Sequence, residues 1–304
     1  MARSGQIQRP RHGARRAPFM LDTMSANLYA LGAIALWATL ASLGISLSHV
    51  PPFLLTGVAL LIGSVLALPF VLRDRSQWRV PTSTLVLGIY GLFGFHFLLF
   101  ISLRHAPPVE ANLVNYLWPL FIVVLAPLFL RNTTLKAVHV VAALLGFAGA
   151  AIAILGARSG VDGDVGGWYW GYLPALASAF IWASYSLLTQ RVALFPTAAI
   201  GLFGLVSGVL ALICHVLLEP SVDLSGQDWL LLLVMGLGPL GGAFFLWDKA
   251  LKLGDARQIG ILSYLTPLCS TALLMTVSGR PLSWSIALAA VMIIGAAIIG
   301  TRAT

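Results

Sequence analysis

Charge is scarce in this chain. Only 9% of its 304 residues are charged, and only ten are acidic. Apolar residues make up 59%, and the mean hydropathy is +0.93. A water-soluble fold cannot hide that much apolar surface, so lipid is the solvent the composition demands. Cysteine is also nearly missing. Cys214 and Cys269 both sit in apolar runs, which excludes a disulfide framework and points to small packing residues. HExxH, GxSxG and aspartate-rich motifs are missing too, so an intramembrane enzyme stays a remote alternative, and no metal or cofactor is expected. Residues 1–20 are arginine-rich and lack an apolar core, which excludes a signal peptide.

What the chain does have is apolar runs of about 20 residues, repeated along nearly its whole length. They predict an all-α integral membrane protein with ten spans at 25–47, 52–72, 82–103, 108–130, 135–156, 168–190, 196–218, 228–250, 256–277 and 283–301. Lipid offers backbone groups no partner, so helices are required, and the continuous rather than alternating runs exclude a barrel. Residues 1–24 are expected to form a disordered tail and 157–167 a loop between two five-helix halves, 25–156 and 168–301.

The net charge of +8 does not mean nucleic acid. With the N-terminus in the cytoplasm, 15 of the 18 basic residues fall on the inner side, leaving Arg104, Arg158 and Arg280 outside. This bias places both termini in the cytoplasm of a bacterial inner membrane. Trp78, Trp168, Tyr169, Trp170, Trp229 and Trp284 fall near predicted span ends, as interfacial anchors do.

The chain also repeats itself. Asn115-Tyr116-Leu117-Trp118-Pro119 returns 148 residues later as Ser263-Tyr264-Leu265-Thr266-Pro267. Gly94, Phe97 and Arg104 match Gly242, Phe245 and Lys252 at the same offset. Leu36-Trp37-Ala38 matches Ile181-Trp182-Ala183, and Pro52 and Gly57 match Pro196 and Gly201. Five spans per half is an odd number, so the second half enters from the opposite side. Inverted repeats with broken helices at matching places are the architecture of alternating-access transporters. Pro119 and Pro267 lack an amide hydrogen and free the carbonyls of Asn115 and Ser263. Both prolines are read as hinges whose freed groups face a watery cavity or the substrate.

The run from Pro107 to Pro119 resembles the drug/metabolite transporter superfamily, specifically its EamA-type ten-helix exporters, and Asn-Tyr-Leu-Trp-Pro resembles the aromatic amino-acid exporter branch. The resemblance implies a basket of helices around a central cavity lined by spans three, four, eight and nine, joined by one and six. Carried over residue by residue, it places Trp37, His96, Asn115, Tyr116 and Trp118 in the site from the first half. Trp182, Tyr185, Ser263 and Tyr264 come from the second. Thr266 stands where the first copy has Trp118, which predicts a one-sided aromatic pocket.

Single residues sharpen this. His96 is an ionisable group well inside a span, beside the repeat motifs, and such groups usually serve a site. Its plain alternative is a bond to a helix carbonyl. Glu110 and His215 are expected to be wet, and Asp248 to pair with a nearby lysine. No carboxylate falls at the predicted midplane, which argues against an Asp/Glu proton relay. The favoured function is export of aromatic and other neutral amino acids and similar metabolites. A drug or cation carrier of the same fold is the alternative, although it should show a buried carboxylate. The expected partners are small-molecule substrates and the lipid bilayer.

Overall fold

The computed structural model describes residues 16–131, 133–156, 169–277 and 284–303. All regular structure among them is helical. Eight helices are long and apolar enough to cross a membrane: α1 (Thr23–Ser46), α2 (Pro52–Arg73), α3 (Thr82–His105), α4 (Pro108–Phe129), α5 (Ala137–Leu155), α7 (Ala199–Leu218), α8 (Gly226–Leu253) and α9 (Ala256–Thr276). Two shorter apolar helices, α6 (Tyr172–Leu188) and α10 (Trp284–Gly300), complete the set. Helix 1 already begins at Arg16, inside the stretch read as a disordered tail. The apolar run Ala17-Pro18-Phe19-Met20-Leu21 extends its pattern outward. Residues 1–15, the loop at 157–167 and Trp168 lie outside the described residues.

The two halves interlock instead of standing side by side. Helix α1 packs on α8 and α9, and α6 packs on α3 and α4. The other close pairs are α2 with α7, α5 with α10, and α4 with α9. Helices in like positions therefore make like contacts. Backbones approach closely where glycine allows it: a methyl on Gly57 would come within 3.1 Å of the Gly208 carbonyl.

Helix ends follow elementary capping rules. Pro52 and Pro108 open α2 and α4, where a missing amide hydrogen costs nothing. Ser225 and Asp228 form a reciprocal capping box at α8.

Two ionic clasps sit at opposite ends of α7. At its end, the Glu219 carboxylate accepts from the Phe53 and Leu54 amides of α2 at 3.0 and 3.2 Å. Arg104 reaches the same carboxylate at 2.6 Å and His215 at 3.0 Å. At its beginning, Lys252 donates to Asp248 at 2.6 Å and to the Phe195 carbonyl at 2.8 Å, while Thr197 donates to Asp248 at 2.7 Å. The cation of each clasp lies over a phenylalanine, Arg104 over Phe53 and Lys252 over Phe195. Two expectations change here. His215 is held by Glu219 and not simply wet, and Glu110 accepts a hydrogen bond from Tyr172. Both carboxylates sit where a helix end offers donors, which keeps them from bulk water.

The Glu219 side chain has no solvent exposure. Its removal leaves Arg104 and two backbone amides facing each other without an anion. Glu219→Ala should therefore cost about 3–5 kcal/mol of stability. A thermal unfolding midpoint in detergent unchanged from the parent chain would contradict this.

Candidate functional site

The middle of the bundle is built from four tryptophans. Trp37 comes from α1, Trp118 from α4, Trp182 from α6 and Trp247 from α8. All six pairs touch, with ring centroids 5.2–6.5 Å apart. Five pairs meet edge-on or tilted and one, Trp182 with Trp247, is stacked, the geometries that ring quadrupoles favour. Tyr185 and Phe244 extend the cluster against Trp182 at 5.4 and 5.6 Å. None of the four tryptophans is more than 8% exposed. Two of the indole N–H groups have defined acceptors. Trp37 donates to the Pro239 carbonyl at 3.1 Å, and Trp247 donates to the Ser186 hydroxyl at 3.2 Å.

The expectation of a one-sided aromatic pocket is overturned. The second half supplies two tryptophans, but on α6 and α8 and none on α9. Thr266 does stand where the first copy has Trp118, and the other ring of the second half, Trp247, comes from α8 instead. Sequence reasoning missed Trp247, which lies outside the matched repeat motifs. The helix runs on to Leu253 and buries it.

His96 lies one ring from this cluster, edge-on to Phe244 at 6.2 Å and beside Phe95 at 5.1 Å. Its Nδ1 is 2.6 Å from the Leu92 carbonyl, so Nδ1 carries the proton. Nε2 is then an acceptor in the neutral ring and a donor in the charged one. The plain and functional readings of this residue are thus compatible. Asn115 donates through Nδ2 to Ser178 at 2.6 Å, and Ser178 donates onward to the Ala175 carbonyl at 2.8 Å. This leaves the Asn115 carbonyl oxygen for another donor. Ser178 stands one turn before Trp182 on the same face of α6.

Other candidates lie apart. Tyr116 is half-buried and outside the tryptophan cluster. Tyr264 packs between α5 and α10, its ring where a methyl on Gly146 would stand. Ser263 is fully buried, and its hydroxyl donates to the Gly260 carbonyl at 2.5 Å.

Among the described residues, helical order fails in two matched pairs of places, besides the turn at Thr39 in α1 and the tightened turn Val65–Ala67 in α2. Helix α4 is interrupted between Asn115 and Trp118, and α9 between Leu262 and Leu265. Pro119 and Pro267 follow directly, at the start of the resumed segments, where proline is tolerated. The freed Ser263 carbonyl does not open into a cavity, as expected, because the Thr266 amide turns back and donates to it at 2.9 Å. The second pair was not anticipated. Each third helix widens into a π-turn, at Tyr90–Gly94 in α3 and Gly238–Gly242 in α8, 148 residues apart. Pro239 accounts for the second, since it cannot donate within an α-helix. Both turns serve the site: one presents the Leu92 carbonyl to His96, the other the Pro239 carbonyl to Trp37. The signal available in sequence was the glycine spacing Gly91/Gly94 and Gly238/Gly242.

Two interlocked helical halves, broken at matched places around a buried aromatic site, define a membrane transporter. The chain belongs to the EamA-like transporter family, whose model matches residues 24–155 and again 169–301. Among its relatives is the aromatic amino acid exporter YddG of Ancylobacter novellus, 43% identical over 92% of this chain and 98% of that protein. The YddG exporters of Salmonella typhimurium and Escherichia coli K12 are 30% and 28% identical, over 90% and 93% of this chain and 95% and 99% of theirs. A solved crystal structure 40% identical in sequence superposes with a TM-score of 0.83, covering 92% of this chain and 98% of that one.

Trp247 is 1% exposed and touches three other tryptophans. Trp247→Ala should cost about 3–5 kcal/mol, the toll of an unfilled aromatic cavity. Tyr116→Ala, outside the cluster, should cost clearly less. Equal shifts in unfolding midpoint for the two variants would count against the cluster as the centre of the core.

Proposed function

We propose that this transporter exports aromatic and other neutral amino acids across a bacterial inner membrane by alternating access. The observation that carries the reading is the tryptophan cluster, to which α1, α4, α6 and α8 each contribute one ring, with His96 and Asn115 at its edge. An amino-acid zwitterion needs an anion partner, a cation partner and apolar walls. Protonated His96 Nε2 can donate to the carboxylate, and the Asn115 carbonyl oxygen can accept from the ammonium. A tryptophan face adds about 0.5–2 kcal/mol of cation–π attraction. Few polar groups and broad aromatic walls favour a range of side chains. The printed names of the YddG relatives point the same way.

In this proposal ten helices cross the membrane, five per half, with the second half inverted and both termini cytoplasmic. The 17 residues of α6 at about 1.5 Å each span roughly 25 Å, close to the hydrocarbon thickness. Residues 25–156 and 168–301 form the two repeats. The rings close the pathway in this conformation, and access opens when the segments on either side of the breaks near Pro119 and Pro267 swing apart. Tyr116, Ser263 and Tyr264 come into the pathway, on this reading, only as those breaks rearrange.

Efflux of phenylalanine or tryptophan from proteoliposomes tests the substrate class directly, and a protein that moves neither ends the proposal. His96→Ala should lower the flux about ten- to a hundredfold, the loss of a hydrogen bond to a charged group, measured on the fraction of the variant that remains folded. Wild-type kinetics in that variant would remove His96 from the site. For topology, the Cys214→Ala and Cys269→Ala background with Ser221→Cys should react with an impermeant thiol reagent added outside intact cells. Reaction only after permeabilisation would invert the assignment.

A further inference from the structure

We propose that Arg131 and Arg191 form a site for the phosphate headgroup of an anionic phospholipid, at the shared end of α4 and α6. A cavity of about 340 Å³ opens there, lined by Pro127, Leu128, Phe129, Leu130, Arg131 and Arg191. Arg131 lies two residues beyond the end of α4, after the Leu130 cap, and Arg191 lies in the turn that closes α6. Neither guanidinium has an ion pair or a side-chain hydrogen bond among the described residues. The carboxylates near this end are engaged elsewhere. Asp248 holds Lys252, Asp255 holds Arg257, and Asp74 caps its own turn through Ser76 and Gln77. Among the described residues, two like charges therefore line one cavity with no protein anion paired to either.

A phosphodiester is the complement of that pair, because the guanidinium fork matches its oxygens and desolvates more readily than an ammonium. The wall decides between a lipid and a free phosphate. Pro127, Leu128 and Phe129 are apolar, and Leu128 is 74% exposed on a membrane-crossing helix. Above it Val124 continues the same exposed face. An acyl chain fits along that strip while the headgroup sits between the arginines. A soluble phosphate would leave the strip uncovered. The inference rests on the membrane-spanning reading of α4 and not on the identity of the substrate. It gives the site a bearing on transport, since α4 carries Asn115 and Trp118, and α6 carries Ser178 and Trp182. A headgroup bridging the two ends would tie together the helices that hold the site.

The full chain in mild detergent is titrated with phosphatidylglycerol, with phosphatidylcholine of the same acyl chains, and with inorganic phosphate. Native mass spectrometry and the unfolding temperature report binding, and neither depends on transport, so a wrong substrate assignment would not disturb them. Phosphatidylglycerol should bind and stabilise the parent chain, phosphatidylcholine should not, and R131Q/R191Q should weaken binding about tenfold or more. R131K/R191K, which keeps charge but loses the fork, should fall between, and it serves if the neutral pair fails to fold. R73Q/R75Q/R79Q, at another cluster of basic residues, should bind as the parent does. Phosphatidylglycerol binding undiminished in R131Q/R191Q and R131K/R191K, or lost equally in R73Q/R75Q/R79Q, overturns the site. Inorganic phosphate that stabilises the chain as well as the lipid does overturns the lipid assignment.

Discussion

Everything in this structure depends on one constraint: in hydrocarbon, each backbone amide and carbonyl must find its partner within its own helix. A chain this apolar has no other source of partners along most of its length. Departures from regular helix are therefore expensive, and they persist only where something else satisfies the freed groups. Among the described residues, four such departures fall at matched places of the two halves: the π-turns of α3 and α8, and the breaks of α4 and α9. In the cases where partners are visible, a side chain or a tightened turn takes up the freed carbonyl. His96 takes Leu92, Trp37 takes Pro239, and the Thr266 amide takes Ser263. The proposed functional centre lies where regularity is relinquished because only there can backbone and side-chain polarity meet.

The same constraint sorts the charges. Ionic groups are driven to the helix ends, where one clasp joins the two halves and the other joins elements of the second half. Glu219 substitutes for a cap at α2, and Asp248 with Lys252 holds the start of α7. These clasps stiffen α2 with α3 and α7 with α8. The interior is left to rings, whose edge-to-face contacts give an apolar core directional preference without buried charge. A centre held by many weak ring contacts can rearrange at modest cost, which a core of ionic pairs in low dielectric could not do.

Much of this was legible in the residues. The apolar runs predicted ten helices, and the described residues contain eight long enough to span a membrane and two shorter ones, α6 and α10. The proline motif predicted breaks in α4 and α9, and both occur within one turn of Pro119 and Pro267. Trp37, Trp118 and Trp182 were read as walls of one site and do meet. The misreadings differ in cause. His215 was judged by distance from a predicted span edge, and such edges are uncertain by a turn, while Trp247 falls outside the matched motifs. Ser263 was judged from the carbonyl that proline frees, although a tightened turn can satisfy that carbonyl locally.

Composition and periodicity determined by themselves that the chain is helical, that it lies in lipid, and that it is built twice, because these follow from solvent partition and local covalent geometry. Tertiary structure alone decided which rings meet. Trp247 reaches the centre only because α8 crosses α1, and Tyr264 misses it because α9 turns that face toward α5 and α10. Such contacts depend on crossing angles and on the rotation of each helix about its axis. A residue or two of helical phase changes them completely, and no local sequence signal records that phase.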